Sequence, residues 1–256
     1  MENDTQSEIR KIEEDIKQSG FPLEIEVSSI LKKDKWTVRN QAYYLDEDER
    51  KQRAVDIIAY KAFFEEFFDH DRLHISLVIE CKKSSKPWVF FTTPKEQRIF
   101  EIPFGLVTHW AYPELKYSIY FSKWIQTKTH YTLSGVNEQA IIAYEPFKKG
   151  EGREIFEATH QVIKALNFEL EENKKASLQV PIKPIFILYP VIVYDGHLFE
   201  YSLQNEDMKI CSTNYLQYLV ERGKFFLIDV VKKKFLPQYL RTINEEIEAL
   251  KALLKQ

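Results

Sequence analysis

The sequence predicts an α/β fold with a mixed sheet, and three stretches carry that prediction. His74 to Lys83 alternates cleanly between apolar and polar residues, the period of a strand with one core face. Gly152 to Leu170 recurs at helical spacing: Ile155, Thr159, Val162, Ile163, Leu166 and Leu170 form an inner stripe, with Arg153, His160, Gln161 and Lys164 outside it. Ile182 to Tyr194 is then a continuous apolar run broken by Pro184 and Pro190, as in a buried strand. A strand, then a helix, then a buried strand is the order of a crossover connection.

From the beginning of the chain, Thr5-Gln6-Ser7-Glu8 has capping-box form, and Ile9, Ile12 and Ile16 follow at helical spacing until Gly20. This first helix is expected to pack on the rest. Pro22 suits the first turn of a second helix with an apolar stripe of Val27, Ile30 and Leu31. Trp36 to Tyr44 reads as a strand, with Gln41 and Tyr43 as either site-lining or packing residues. The charged turn LDEDERKQ leads into the strand Ala54 to Tyr60, apolar except for Asp56. In the next strand, Ile75, Leu77, Ile79 and Cys81 share the core face, while His74, Ser76, Val78, Glu80 and Lys82 share the other.

Between these strands, KAFFEEFFDHDR is either a short, partly buried excursion or a docking surface, and its Asp69, His70, Asp71 and His74 lack metal-ligand spacing. Residues 92–150 read as an aromatic-rich insertion of strands or short helices. Its Trp110, Tyr112, Tyr117, Tyr120, Phe121 and Trp124 are either core or base-stacking groups. Asp195-Gly196 is a turn into another strand, Phe225 to Val231 is one more, and a C-terminal helix follows. Its Leu236, Leu240, Ile243, Ile247, Leu250 and Leu254 form a heptad-like seam that either packs on its own domain or makes a homodimer with a second copy.

A net charge of −3 and a pI near 6.1 exclude a molecule that attracts nucleic acid as a whole, so any such face is local. The candidates are Lys32, Lys33 and Lys35; Lys82, Lys83 and Lys86; Lys148 and Lys149; and Lys232 to Lys234. Two cysteines cannot make a metal quartet, and Cys81 lies on the core face. With no run of about eighteen apolar residues and no basic-then-apolar beginning, neither a spanning helix nor a secretion signal is expected, and a cytoplasmic location is the simplest.

The polar residues of the two strands are the functional signal. Glu80 and Lys82 share one face two residues apart, and Asp56 interrupts the neighbouring strand. Carboxylates converging on one point need a proton or a cation between them, and a hard divalent ion with oxygen ligands meets that need. The spacing of Asp56, then 23 residues, Glu80, one residue and Lys82 resembles the signature of the PD-(D/E)xK nuclease superfamily, although Val55 stands where that signature has proline. Glu24 on the second helix, ahead of the Trp36 strand, resembles the opening of archaeal Holliday-junction resolvases, with Lys35 where those often have glycine; Glu26 is the competing choice.

The resemblance implies a restriction-endonuclease-like αβββαβ core in a single domain, 1–256. The core covers about 19–91 and 152–203, with 92–150 inserted and a strand and helix at 225–255. It implies Mg²⁺, with Mn²⁺ as a substitute, held by Glu24, Asp56, Glu80 and the backbone carbonyl of Cys81, with Lys82 beside the attacking water. It also implies hydrolysis of nucleic acid, DNA more than RNA, in defence or repair. A salt-bridge cluster without chemistry, in a nuclease-like scaffold that binds nucleic acid or a protein, is the alternative.

Overall fold

The deepest element is a strand buried along nearly its whole length, and the rest of the chain is layered around it. The computed structural model describes residues 2–46, 49–64, 72–94, 111–112, 138–147, 153–179, 184–204, 207–222 and 225–255. Helices α1 (Glu2–Gln18) and α2 (Phe21–Lys33) precede strands β1 (Thr37–Asp46), β2 (Lys51–Phe63), β3 (Arg72–Lys83), β4 (Trp88–Pro94), β5 (Ala111–Tyr112) and β6 (Glu138–Tyr144). Helix α3 (Glu154–Leu178) leads to β7 (Pro184–Asp195), β8 (Leu198–Gln204), β9 (Asp207–Ser212), β10 (Tyr215–Glu221) and β11 (Phe225–Lys232). A single 3₁₀ turn, Lys233–Phe235, then opens α4 (Leu236–Leu254).

These strands form one mixed sheet in the order β1-β2-β3-β7-β11-β10-β6-β4-β8-β9, with β5 added to β7. Strands β1, β2 and β3 are an antiparallel meander. β7 runs parallel to β3 from Arg72↔Pro184 to Lys83↔Asp195, and β11 runs parallel to β7 on its other edge. β11 covers only Val191 to Tyr194 of that edge, while β5 takes Phe186 and Ile187. Helix α3 packs across β3 and β7, and the crossover it makes is what a parallel pair requires. From the opposite face, the ring of Tyr239 of α4 lies tilted against that of Tyr215, and Tyr189 of β7 reaches Glu246. The buried Asp229 accepts hydrogen bonds from Tyr215, Gln217 and Tyr239, which ties β10, β11 and α4 together.

Two expectations change. The seam of α4 packs on its own chain: Leu236, Leu240, Ile243, Ile247 and Leu250 are at most 1% exposed, so among the described side chains it offers no apolar face to a second copy, while the side chain of Leu254 lies outside the described residues. Helix α1 is not a packing element in the expected sense, because Ile9, Ile12 and Ile16 are each about half exposed (49–51%). The segment 92–150, expected as strands or short helices, contributes β5 and β6 among the described residues, and β6 sits inside the sheet between β10 and β4. Trp110, Tyr117, Tyr120, Phe121, Trp124, Asp69, His70, Asp71, Lys148 and Lys149 lie outside the described residues, as does the side chain of Tyr112.

The join between α2 and β1 shows how local chemistry sets the core. Lys35 has φ 63, and the Trp36 and Lys35 amides bond the carbonyls of Leu31 and Lys32 at 3.0 Å. This is the double bond of a Schellman cap, whose left-handed residue favours glycine. It turns Trp36 back over Leu31, and both are buried.

Candidate active site

The site begins with an irregularity shared by two strands. Gln41 stands opposite Asp56, between the pairs Asn40↔Ile57 and Ala42↔Val55, and has φ 49. Before it, Arg39 reaches Glu169 on α3 while Asn40 is bonded by Ser28 on α2, on opposite faces as alternation requires. After it, Tyr44 meets Phe168 and Asp46 meets Lys164, both on α3. Strict alternation would put residues 44 and 46 with Asn40, so the face slips by one at Gln41. β2 slips with it: Lys61 bonds Asp34 and Asn244 on the α2 and α4 side, whereas Arg53 bonds Asp46 on the α3 side. Such a kink re-aims side chains, and a non-glycine residue held at positive φ stores strain.

One step further on, β2 and β3 part. Their pairing ends at Ile57↔Ile79, so Asp56 and Glu80 do not face each other across a ladder. Instead, Asp56 Oδ2 accepts the Cys81 amide at 2.7 Å. The amide and carbonyl of one residue leave a strand on the same edge, so the Cys81 carbonyl opens into the same gap. The other edge of β3 stays paired to β7 through Lys83.

Glu80 is 2% exposed, and one of its oxygens meets Lys82 Nζ at 2.8 Å. The other, Oε2, is buried with no hydrogen-bond partner among the described residues. Lys82 also donates to Gln161 Oε1 on α3 at 3.3 Å. Glu24, one turn into α2, accepts a 2.6 Å bond from Gln41 Nε2. The structure therefore brings Glu24, Asp56, Glu80 and Lys82 into one neighbourhood, with two glutamines holding the outer pair.

The titration of each group reports the others. Burial pushes Glu80 up to about 8, and the charges of Asp56 and Glu24 add to it against Lys82. Asp56 is raised by burial, opposed by the Cys81 amide and Lys82. Glu24 is raised by burial and by Asp56, opposed by Gln41 and Lys82. Burial lowers Lys82, but the attraction of Glu80 and Asp56 outweighs it and the net shift is upward. Burial and the same three acids raise the Cys81 thiol well above its ordinary value, which leaves it inert as a nucleophile. Three carboxylates share one ammonium, so the cluster lacks positive charge. The Lys82–Glu80 pair alone does not balance it.

Glu26, the competing glutamate, is exposed and bonds Lys233 at 2.9 Å, away from the cluster. Tyr43 is 66% exposed. Gln161 is the contact that sequence reasoning missed. Among the described residues, no three His, Cys, Asp or Glu side chains are drawn tightly enough together to make a preformed metal centre. The donors nevertheless suit a hard divalent cation: oxygen atoms only, surplus negative charge, and a buried orphan oxygen on Glu80. Two cavities open elsewhere, one of about 380 Å³ between α3 and the sheet at Arg39 and His74, the other of about 620 Å³ over Phe91, Tyr144 and Phe199. Neither includes an acid of the cluster. Among the described residues, no helix is long and apolar enough to cross a membrane. Comparison with protein-family models, with curated proteins and with solved structures finds no match for this chain.

Proposed function

We propose that this protein is a metal-dependent nuclease of the PD-(D/E)xK type, hydrolysing phosphodiester bonds of nucleic acid, DNA more than RNA. The observation that carries the reading is the buried, unpartnered oxygen of Glu80 among three carboxylates whose pKa values are all raised, beside one lysine. Support for a restriction-endonuclease-like αβββαβ core comes from the element order. Helix α2, the meander β1-β2-β3, the crossover helix α3 and the parallel strand β7 come in that order, with β4 to β6 between β3 and α3, and the acids stand on α2, β2 and β3.

Glu24, Asp56, Glu80 and the Cys81 carbonyl would hold Mg²⁺, with Mn²⁺ as a substitute. Bound there, the ion would lower the pKa of a coordinated water and neutralise charge on the phosphate. Burial holds a proton on Glu80 at neutral pH, and a bound cation would displace that proton and take Oε2 while Oε1 keeps its contact with Lys82. Lys82 stays charged and faces the charge that grows on the phosphoryl oxygens, an interaction strongest in the transition state. Gln161 fixes the reach of Lys82, and Gln41 fixes Glu24.

The test is cleavage of labelled duplex and single-stranded DNA and of RNA, with Mg²⁺ or Mn²⁺ and with chelator, for wild type and for Glu80→Ala and Lys82→Ala. Chelator-sensitive cleavage lost in both variants supports the reading. A wild type that cuts none of these substrates with either metal leaves the alternative, a nuclease-like scaffold in which the Lys82–Glu80 pair is structural.

A further inference from the structure

We infer that the carboxyl ends of β3, β7 and β11 form the surface that grips the nucleic-acid backbone beside the acid cluster, an inference that rests on the nuclease reading above. The three strands are parallel neighbours and finish side by side: Lys83 pairs with Asp195, and Lys232 with Tyr194. Two lysine groups far apart in sequence, Lys82 to Lys86 and Lys232 to Lys234, therefore meet at one end of the sheet. Lys86 is joined to the same place through its carbonyl, which accepts a 2.6 Å bond from Tyr194.

Charge balance at this end is positive although the whole chain carries −3. Lys233 is paired with Glu26 and Asp195 at 2.9 and 3.1 Å. Among the described residues, Lys83, Lys86, Lys232 and Lys234 have no carboxylate within 4 Å, and Lys83 and Lys234 are exposed. Burial and the neighbouring charge of Lys234 lower the pKa of Lys232, as expected where like charges crowd. Strands lie about 4.8 Å apart, so Lys83 and Lys232, two strands apart, are separated by roughly 10 Å at the backbone.

The patch lies at the same end of the sheet as the site: Lys83 follows Lys82 directly at the end of β3, Lys82 turning to Gln161 on α3 while Lys83 turns the other way and donates to the Lys17 carbonyl of α1 at 3.0 Å. A polyanion with regularly spaced charges, the phosphate backbone, matches a sheet end where four lysines have no carboxylate partner among the described residues, two of them, Lys83 and Lys234, exposed.

The experiment separates grip from cutting. Binding of fluorescent 20-mers of duplex DNA, single-stranded DNA and single-stranded RNA is measured by anisotropy in chelator across a salt series. The proteins are wild type, the triple variant Lys83→Glu/Lys232→Glu/Lys234→Glu, and a control with the same charge change at Lys51, Lys175 and Lys209. A milder Lys83→Ala/Lys234→Ala variant guards against misfolding, with thermal unfolding recorded for all. The patch variant is expected to bind at least about 30-fold more weakly near physiological salt, with the slope of log affinity against log salt reduced by about 2 to 3, while the control matches wild type. The nucleic acid held tightest identifies the substrate. A patch variant that binds like wild type, or a control that loses as much, overturns the inference and leaves the nuclease reading standing. Salt-dependent binding lost only in the patch variant, without metal-dependent cleavage by wild type, sustains the patch and removes the nuclease.

Discussion

Glu80→Gln turns the electrostatics of the cluster into a stability measurement. The substitution keeps the shape of the side chain and removes its titration. In the folded chain Glu80 takes its proton near pH 8, against an ordinary value of 4.5. Below pH 4.5 both folded and unfolded chains are protonated there, and the residue contributes no pH dependence. Between 4.5 and 8 only the folded chain binds the proton, so wild-type stability falls as pH rises and levels off above 8. At 1.4 kcal/mol per pH unit, the gap between 4.5 and 8 sets an upper bound of about 5 kcal/mol.

The variant is therefore expected to gain on wild type by about 1 kcal/mol at pH 5.5 and by about 2 to 4 kcal/mol at pH 8.5, allowing for local relaxation. Urea unfolding in chelator at several pH values from 5 to 9 reads this directly. An offset between the two proteins that stays constant over that range would refute the reasoning, because it would mean that Glu80 titrates alike in both states. Millimolar Mg²⁺ should then reverse the order at pH 8.5, since a ligand bound only by the folded wild type stabilises it by mass action.

Other outcomes follow from individual contacts. Gln41→Ala removes the 2.6 Å bond that holds Glu24 and should raise the Mg²⁺ concentration needed for half-maximal cleavage about tenfold, with little change in substrate affinity. Lys35→Gly relieves the left-handed residue of the α2 cap and should add about 1 kcal/mol to stability by urea unfolding; a loss instead would show that the side chain stabilises more than its backbone strain costs. Gly196→Ala places a methyl group 2.4 Å from the Tyr194 ring and 2.7 Å from the Ser84 carbonyl, so it should lower the melting temperature by several degrees and loosen the turn behind Lys83. Ile247→Ala should cost about 3 kcal/mol at any protein concentration; a loss that vanishes at high concentration would mean that α4 pairs with a second copy after all.

Much of the site was readable because strand alternation is a strict rule. The pairing of Glu80 with Lys82, and their separation from Cys81, followed from a period of two, and Asp56 stood out as the one polar residue in an apolar run. What alternation could not show was its own failure: no residue type announces that Gln41 and Asp56 interrupt the period together. Gln161 was passed over because it lies off the apolar stripe of α3 and looks like a solvated position. A second stripe was present, however. Glu157, whose charge acts on Lys82, Gln161, which bonds it, and Lys164, which bonds Asp46, recur at steps of four and three on the side of α3 that meets the strands. The seam of α4 was ambiguous for a different reason, since the same spacing serves a partner helix and a chain's own sheet equally well.

The divided edge of β7 has a consequence for how this chain tolerates change. Pro190, which has no amide hydrogen to donate, stands between the stretch that receives β5 and the stretch that receives β11. The part of β7 next to Glu80, at Ile192, is clamped between β3 and β11, whereas β5 pairs with Phe186 and Ile187, some 17 Å back along the strand. A substitution at Phe186 or Ile187 that loosens β5 therefore acts on β7 five or six residues away from the position beside Glu80, which β3 and β11 hold from both edges.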